Sequence, residues 1–233
     1  MPVVAGQRAA QSPLFSATGL VPGYVARQPD NVSAAVDVVC ATPGAVRWVG
    51  MGPMSNLARV LAARPDLAAR LVLTQMGGAI RYRDPDRAEH NVRLDPDAAR
   101  SVLALVPRPG LVTSDVTFHP EMELGPDSPA YALLSAADAP QWAPVLRAHL
   151  DGWFAAYHPG SMQHDALTLS AALQLPFVDF AQRHIGFDAI GRMSMLTEPD
   201  GIVAFVSRKA HYSAFQRWLL RQLSEERPQR TEQ

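Results

Sequence analysis

The segment Val46–Ala63, VRWVGMGPMSNLARVLAA, contains the basic unit of the fold that this sequence predicts. It begins with the short apolar run Val46–Val49, which is typical of a strand. Gly50–Pro53 then breaks the run, and the apolar residues recur at helical spacing from Ser55 to Ala63. The segment therefore predicts a strand, a glycine-rich turn and a helix.

Strand and helix patterns continue to alternate on both sides of this unit. The predicted elements are a helix over Asn31–Ala41 that Asn31 caps, a strand over Leu71–Met76, a helix that Asp95 caps, and a third strand that starts at Leu111 and has its exit at Ser114–Thr117. Such alternation is typical of a parallel sheet covered by helices on both faces. We therefore predict an α/β fold with a mainly parallel, open sheet.

The second half of the chain predicts more helix and two late strands. The predicted elements are mostly helix over Ser128–Tyr157, strands over Phe177–Ala189 and Gly201–Val206, and a closing amphipathic helix over Ser213–Leu223. The second strand is interpreted as one arm of a hairpin that turns at Glu198–Gly201. We expect one domain over residues 1–223, followed by a charged tail over residues 224–233.

Composition limits the possible partners. The formal net charge is −1, so the chain lacks the basic footprint of a protein that binds nucleic acid or an anionic membrane surface. It also has no uncharged apolar run of about 18 residues, which a membrane span requires. Cys40 is the only cysteine, which excludes an intrachain disulfide and is typical of a reducing compartment. We expect a cytoplasmic protein with a small-molecule substrate, in which Cys40 is a buried small hydrophobe.

His164 and Asp165 stand side by side where an apolar helical run begins, and Asp165 has two interpretations. A carboxylate at a helix start can cap free backbone N–H groups and gains from the helix dipole. It can also be an oxygen ligand to a hard cation, with His164 as a proton donor in the same pocket. These two residues alone leave both interpretations open.

Other polar residues and glycines follow the predicted strands. Because ligands bind outside the carboxyl ends of parallel strands, we expect these segments to meet at one edge of the sheet. They are Gly50–Asn56, Met76–Gly78, Glu89–Asn91 and Asp115–Thr117.

Five ordered motifs resemble the inosine-uridine-preferring nucleoside hydrolases. VGMGPMSNLARVL resembles that family's strand, glycine-rich turn and Asn-containing helix, and MGG follows the next strand. EHNVRLDPDAA resembles the family's E-F-N followed by D-P-E-A-A, SDVT its L-D-V-T, and HDAL its H-D-P-L. The resemblance extends from Met1 nearly to Leu223.

The resemblance implies a calcium-dependent enzyme that hydrolyses the N-glycosidic bond of purine or pyrimidine ribonucleosides to ribose and free base. Asp165 and the backbone carbonyl of Met51 would be calcium ligands. Glu89 and Asn91 would hydrogen-bond the ribose hydroxyls, and Met76 would line the sugar site. His164 would protonate the leaving base. Calcium suits this chemistry because it takes many oxygen ligands, which can include ribose hydroxyls.

The sequence also departs from the family pattern. It contains no D-x-D-x-G-x-D-D segment, which supplies most of the family's calcium carboxylates and its water-activating base, and Met1–Gly6 resembles a family segment well downstream. We therefore expect an N-terminally truncated domain that lacks a βαβ unit of about 30 residues and binds calcium weakly or not at all. Arg83 stands near the position of an expected Asn, and His90 where Phe is usual.

Two interpretations of these departures stay open. The chain is a nucleoside hydrolase whose first segment lies upstream of an incorrectly assigned start, or it is a catalytically impaired binding or partner subunit. An in-frame D-x-D-x-G-x-D-D in the upstream coding DNA would favour the first, and a nearby stop codon the second. Under either interpretation we expect a homo-oligomer, because the resemblance implies dimers or tetramers and a truncated core would expose apolar surface.

Overall fold

A computed structural model of the protein describes Gly6 and residues 32–225. The helices are α1 (Val32–Ala41), α2 (Ser55–Ala63), α3 (His90–Leu94), α4 (Pro96–Leu105), α5 (Ser114–Thr117), α6 (Pro129–Ser135), α7 (Ala143–Ala156), α8 (His164–Ala172) and α9 (Tyr212–Glu225), with 3₁₀ turns at Pro65–Arg70 and Pro120–Met122. The strands are β1 (Val46–Gly50), β2 (Leu71–Met76), β3 (Gly110–Val112), β4 (Glu123–Leu124), β5 (Ser161–Met162), β6 (Val178–Phe187), β7 (Met193–Met195) and β8 (Ile202–Ala210). The predicted cap Asn31 and most of the predicted tail lie outside the described residues.

Within the described residues, six strands form one sheet in the order β1-β2-β3-β8-β6-β7. The first four are parallel to one another, with pairs such as Val49 opposite Thr74 and Gly110 opposite Phe205. β6 runs antiparallel to β8, and β7 antiparallel to β6. The predicted α/β fold with a mainly parallel sheet is confirmed. None of the helices in this part of the chain is long and apolar enough to cross a membrane.

Helices cover both faces of the sheet. On one face, α1, α2 and α4 pack on the strands through a cluster of buried residues that includes Val39, Leu57, Leu61, Val102, Leu103, Leu73 and Leu111. On the other face, α8 packs on β1, β2 and β3, and Leu167 of α8 is fully buried. A second cluster joins Leu167 to Val112 of β3 and Phe215 of α9. These layers hold the start of α8 beside the carboxyl ends of the parallel strands.

Ser114–Thr117 is a short helix, so the predicted strand exit at this segment is wrong. The Thr117 N–H donates to the Thr113 carbonyl at 3.1 Å, and the Phe118 N–H donates to the Ser114 carbonyl at 3.0 Å. The carboxylate of Asp115 also accepts the backbone N–H groups of Ile80 and Arg81, both at 2.8 Å. These tertiary bonds override the extended preference that Val116 and Thr117 give to the segment.

The predicted hairpin at Glu198–Gly201 is wrong in its pairing. β8 and β6 are antiparallel neighbours, but β7 lies between them in sequence and pairs with the opposite edge of β6. The tight turn is therefore the one between β6 and β7, where the Asp188 N–H donates to the Arg192 carbonyl at 3.1 Å. The segment Glu198–Gly201 crosses from β7 to β8 instead of joining two paired strands.

Cys40 is exposed, which contradicts its expected burial. In α1, Val39 is the residue that turns fully into the core, and Cys40 lies one position away. Its Sγ lies 3.5 Å from Nη1 of the exposed Arg64. The helical periodicity predicts Cys40 on the apolar face of α1, but Cys40 lies at the edge of that face and is exposed to solvent.

Two glycines of the turn after β1 give the first prediction. A Cβ at Gly50 would overlap Oε1 of Gln75, a side chain with 1% exposure whose Nε2 donates to the carbonyls of Gly52 and Met76 at 2.8 and 2.7 Å. Because Gln75 cannot move without losing these bonds, Gly50→Ala is expected to lower the free energy of unfolding by about 1–3 kcal/mol. Urea unfolding measures the change.

Gly52→Ala is the matched control, because a Cβ at Gly52 would meet no atom within 4 Å. It is expected to change the stability far less. Equal losses for the two variants would contradict the assignment of Gln75 as the fixed neighbour.

Candidate active site

The predicted site residues come from four places that the fold brings to the carboxyl edge of the parallel strands. Met76 ends β2, and Glu89 with Asn91 lies at the start of α3. Thr117 ends α5, and His164 and Asp165 open α8. The expectation that these segments share one edge of the sheet is therefore met by the geometry.

Glu89 is a buried carboxylate, with 5% exposure, that joins the end of β2 to the start of α3. Its Oε2 accepts the backbone N–H groups of Gly78 at 2.9 Å, Asn91 at 3.0 Å and Val92 at 3.3 Å. No described residue donates to Oε1. Burial raises the pKa of Glu89, and the three N–H donors oppose this shift. One oxygen is thus fixed by the backbone, and the other has no donor among residues 32–225.

Asn91 and Met76 form one unit. The Asn91 Nδ2 donates to the carbonyl oxygen and to the Sδ of Met76, both at 3.2 Å. The Met76 carbonyl also accepts from Gln75 Nε2 at 2.7 Å, and the same Nε2 reaches Gly52. The predicted sugar-site residues are therefore linked by hydrogen bonds to the glycine-rich turn, in which Met51 is 37% exposed.

His164 is held by polar and aromatic neighbours. Its Nδ1 lies 2.7 Å from Thr117 Oγ1, and Thr117 is fully buried. The ring stacks on Phe118, with centroids 6.5 Å apart and an angle of 13° between planes, and the Arg83 guanidinium lies 4.6 Å from the Phe118 ring centroid. Burial, with a smaller effect of Arg83, lowers the pKa of His164 to about 4. The imidazole is therefore neutral at neutral pH.

Asp165 does not cap α8. Gln163 occupies the cap position, without a side-chain cap bond, and no described residue donates a hydrogen bond to the Asp165 carboxylate. Although its side chain keeps more than a third of its surface exposed, the surrounding protein atoms reduce the solvation of its charged form. This desolvation, together with repulsion by Glu89, raises the pKa of Asp165 to about 6.

Among the described residues, Asp165 has the chemistry of a candidate cation ligand. A carboxylate with a raised pKa, a negative neighbour and no hydrogen-bond donor suits a bound cation. However, the described part of the chain contains no group of three or more His, Cys, Asp or Glu side chains that could hold a metal ion. Asp165 therefore fits as one ligand of a hard cation, and the rest of the ligand set is not among these residues.

Asp95 and Asp115 have structural roles. Asp95 caps α4, as predicted, by accepting the Ala98 N–H at 3.0 Å, and it also accepts from Ser55 Oγ at 2.5 Å. Asp115 fixes the backbone at Ile80 and Arg81. The carboxylates of Asp95 and Asp115 are thus both engaged in hydrogen bonds that hold the fold.

The structure adds two residues whose roles the sequence did not predict. Gln75 carried a signal, because it is the only amide in the apolar strand LVLTQM, and a polar residue buried in a strand requires hydrogen-bond partners. Phe118 carried no such signal, since an exposed aromatic residue is common and its stacking on His164 depends on tertiary structure.

Comparisons with known proteins give the family that the sequence matches. The sequence profile described as inosine-uridine preferring nucleoside hydrolase matches residues 1–213. A curated relative, the pyrimidine-specific ribonucleoside hydrolase of Klebsiella pneumoniae, is 25% identical over 186 residues, which are 73% of this chain and 56% of that protein. An uncharacterised protein of Schizosaccharomyces pombe is 34% identical over 105 residues, 42% of this chain and 32% of its own length. The chain thus spans about half the length of the Klebsiella relative and a third of the yeast one.

Solved structures share the fold. The purine-preferring ribonucleoside hydrolase from Gardnerella vaginalis superposes with a TM-score of 0.71 at 19% identity, over 85% of this chain and 66% of that one. The inosine-uridine preferring nucleoside hydrolase from Bacillus anthracis superposes with a TM-score of 0.64 at 18% identity, over 84% and 65% of the two chains. At these identities the likeness concerns the fold alone.

Glu89 gives a prediction about pH and stability. Its pKa is raised above the ordinary value of 4.5 in the folded state, so ionisation favours unfolding. The contribution of the neutral acid is fully present below that ordinary value and is lost as the pH rises through the folded-state pKa. Glu89→Gln keeps an acceptor for the three N–H groups without a charge. It is therefore expected to be as stable as the wild type at pH 4 and more stable at pH 8, by urea unfolding.

Asp127→Asn, at an exposed position, measures the effect of removing one negative charge from the surface. If the wild type were more stable than Glu89→Gln at pH 8, the three N–H donors would stabilise the charged carboxylate by more than its burial destabilises it.

Proposed function

We propose that this chain, which belongs to the inosine-uridine preferring nucleoside hydrolase family, cleaves the N-glycosidic bond of ribonucleosides to release ribose and free base. One observation carries the proposal: the hydrogen-bonded pair Asn91–Met76, the buried Glu89, and the adjacent His164 and Asp165 meet at the carboxyl edge of the parallel strands. Separate polar groups for a sugar and for a leaving base are what this reaction requires.

Glu89 and Asn91 would hold the ribose. Oε1 of Glu89, which has no donor in the described part of the chain, would accept hydrogen bonds from sugar hydroxyls, and such charge-assisted bonds are short and strong. Because backbone N–H groups hold the other oxygen of Glu89, the carboxylate is already oriented before the sugar binds. Asn91 is likewise fixed through Nδ2 to Met76, so its oxygen is presented without a loss of rotamer freedom.

His164 would protonate the leaving base. As the C–N bond breaks, its electron pair passes to the base nitrogen, which then needs a proton, while the oxygen of water bonds to the sugar carbon and that water loses a proton. Nδ1 of His164 is engaged by Thr117, which leaves Nε2 for the base. Because the ring is mostly neutral at neutral pH, it would first take up a proton from solvent and then pass the Nε2 proton to the departing base, which returns the ring to its neutral form.

Asp165, with the Met51 carbonyl as the resemblance implies, would hold calcium. When bound, calcium would supply positive charge that orients sugar hydroxyls and favours deprotonation of water. The repulsion between Glu89 and Asp165 supports a cation at this place. We assign no residue of this chain to the activation of water.

A binding or partner subunit is the second candidate function. It is favoured by one observation, that the described residues hold no group of three or more metal-ligating side chains. Ribose release separates the two: a chain that binds inosine, by calorimetry, but releases no ribose with calcium present would favour the second candidate.

The remaining expectations stay predictions. The Klebsiella relative is named pyrimidine-specific and the Gardnerella structure purine-preferring, so both inosine and uridine are required as test substrates. A cytoplasmic location and a homo-oligomeric state follow from the family resemblance and composition. Light scattering at micromolar concentration tests the second of these, and a clean monomer would contradict it.

Asn91→Ala gives the first activity prediction. Loss of its hydrogen bonds to Met76 and to the sugar is expected to lower kcat/KM for inosine and uridine by about 10- to 100-fold, the size of one or two strong hydrogen bonds. Ribose release measures it. Gln182→Ala, another amide at an exposed position, is the control and is expected to leave kcat/KM unchanged. An unchanged kcat/KM in Asn91→Ala would contradict the proposed sugar site.

His164→Ala gives a prediction that separates chemistry from binding. Activity on inosine is expected to fall by about 10²- to 10⁴-fold, because the departing purine needs a proton. p-Nitrophenyl riboside should lose far less, because p-nitrophenolate is a stable anion. His158→Ala, at an exposed histidine paired with Glu123, serves as the control. Equal losses on both substrates would contradict the role in leaving-base protonation.

A further inference from the structure

A second recess of about 370 Å³ lies on one face of the sheet, apart from the residues of the candidate active site. Neither Glu89, Asn91, His164 nor Asp165 lines it. Its walls combine arginines with small or apolar residues: Ile80, Arg81, Ala181, Arg183, Val206 and Arg208. Nothing in the proposed reaction uses this recess.

The register of β6 and β8 explains the shape. Ala181 pairs with Val206, and the two short side chains form an apolar floor. Because the strands are antiparallel, Arg183, two residues after Ala181, and Arg208, two residues after Val206, lie at opposite ends of this pair. The register is irregular beside Arg208, between Asp179 and Phe180, and both arginines line the recess. The small Ala181 thus leaves a gap that two long cationic side chains flank.

Arg81 completes the recess from the loop after β2. Its backbone N–H, with that of Ile80, is fixed by the carboxylate of Asp115. These two bonds occupy both oxygens of Asp115, at 2.8 Å each. The one carboxylate that lines the recess is therefore already engaged by the backbone.

The three arginines lack an acidic partner within the described residues. No ion pair involves Arg81, Arg183 or Arg208 there, and the one side-chain bond among them runs from Arg183 Nη1 to the neighbouring Gln182 carbonyl at 3.0 Å. Three arginines without an acidic partner line one concave surface, and such an arrangement suits a multivalent anion. Guanidinium groups match phosphate oxygens in pairs of parallel hydrogen bonds.

We propose that the recess lined by Arg81, Arg183 and Arg208 binds a phosphoryl group, either as inorganic phosphate or pyrophosphate or as the phosphate of a nucleotide. The apolar floor of Ala181 and Val206 would contact the body of an organic phosphate. The recess is linked to the candidate active site through Asp115, which lies two residues before Thr117, the partner of His164. The proposal stands independently of the proposed hydrolysis, because a chain without activity would keep these arginines.

Isothermal titration tests the proposal with inorganic pyrophosphate and inosine 5′-monophosphate, in chloride buffers of matched ionic strength. The wild type is expected to bind both, and Arg183→Gln and Arg208→Gln are each expected to weaken binding by about tenfold, as loss of a charge-assisted hydrogen bond does. Tighter binding of the nucleotide assigns an organic phosphate, and equal binding assigns the inorganic anion; either supports the site.

Arg217→Gln is the matched control, since it removes an exposed arginine from α9 outside the recess, and it should bind as the wild type does. Circular dichroism in chloride alone verifies that each variant is folded. Inosine affinity should be the same in all four proteins, which separates this site from the nucleoside site. Absence of pyrophosphate and nucleotide binding in the wild type, or unchanged affinity in both recess variants, would overturn the proposal.

Discussion

The buried carboxylate of Glu89 is the interaction on which the site depends. It accepts three backbone N–H groups, one from the turn after β2 and two from the first turn of α3. The turn can present its N–H only because Gly77 and Gly78 have φ values of +150° and +76°, which L side chains rarely adopt. A Cβ at Gly77 would also lie 3.3 Å from Glu89 Oε2. The M-G-G sequence is thus a geometric requirement of the carboxylate, and the carboxylate in turn positions Asn91.

Much of the fold could be predicted from the sequence, because the parallel half is built from local signals. The strands β1 and β2, the helix α2 and the cap at Asp95 depend on periodicity and on residues within one turn. Ser114–Thr117 could not be predicted in this way. Its β-branched residues favour extended backbone, but its helix is fixed by bonds from the distant Ile80 and Arg81. The predicted burial of Cys40 was wrong for a related reason. Cys40 lies at the edge of the apolar face of α1, and burial at that edge depends on which elements pack against it.

In the candidate site too, some features could be predicted from the sequence and others depend on tertiary structure. Adjacent or motif-borne residues, such as His164 with Asp165 and Glu89 with Asn91, could be named from the sequence with the help of a family resemblance. The contacts that set their chemistry could not. Thr117 is 47 positions from His164. Arg83, whose charge lowers the pKa of His164, lies against the Phe118 ring that stacks on His164. The three arginines of the recess likewise come from three separate segments, and they lie together only once β6 and β8 are paired.

The ionised carboxylates of Glu89 and Asp165 destabilise the folded state. Burial raises the pKa of Glu89, and burial together with repulsion by Glu89 raises the pKa of Asp165. The ionised form of each carboxyl is therefore less well solvated in the folded protein than in water. Groups whose environment disfavours their charged form concentrate at functional sites, because the same environment strengthens their interaction with a ligand. A sugar hydroxyl that donates to Glu89, or a cation beside Asp165, would restore what desolvation removed. Ligand binding would then stabilise this fold by relieving the repulsion between the two carboxylates, which gives them a physical reason to lie near each other.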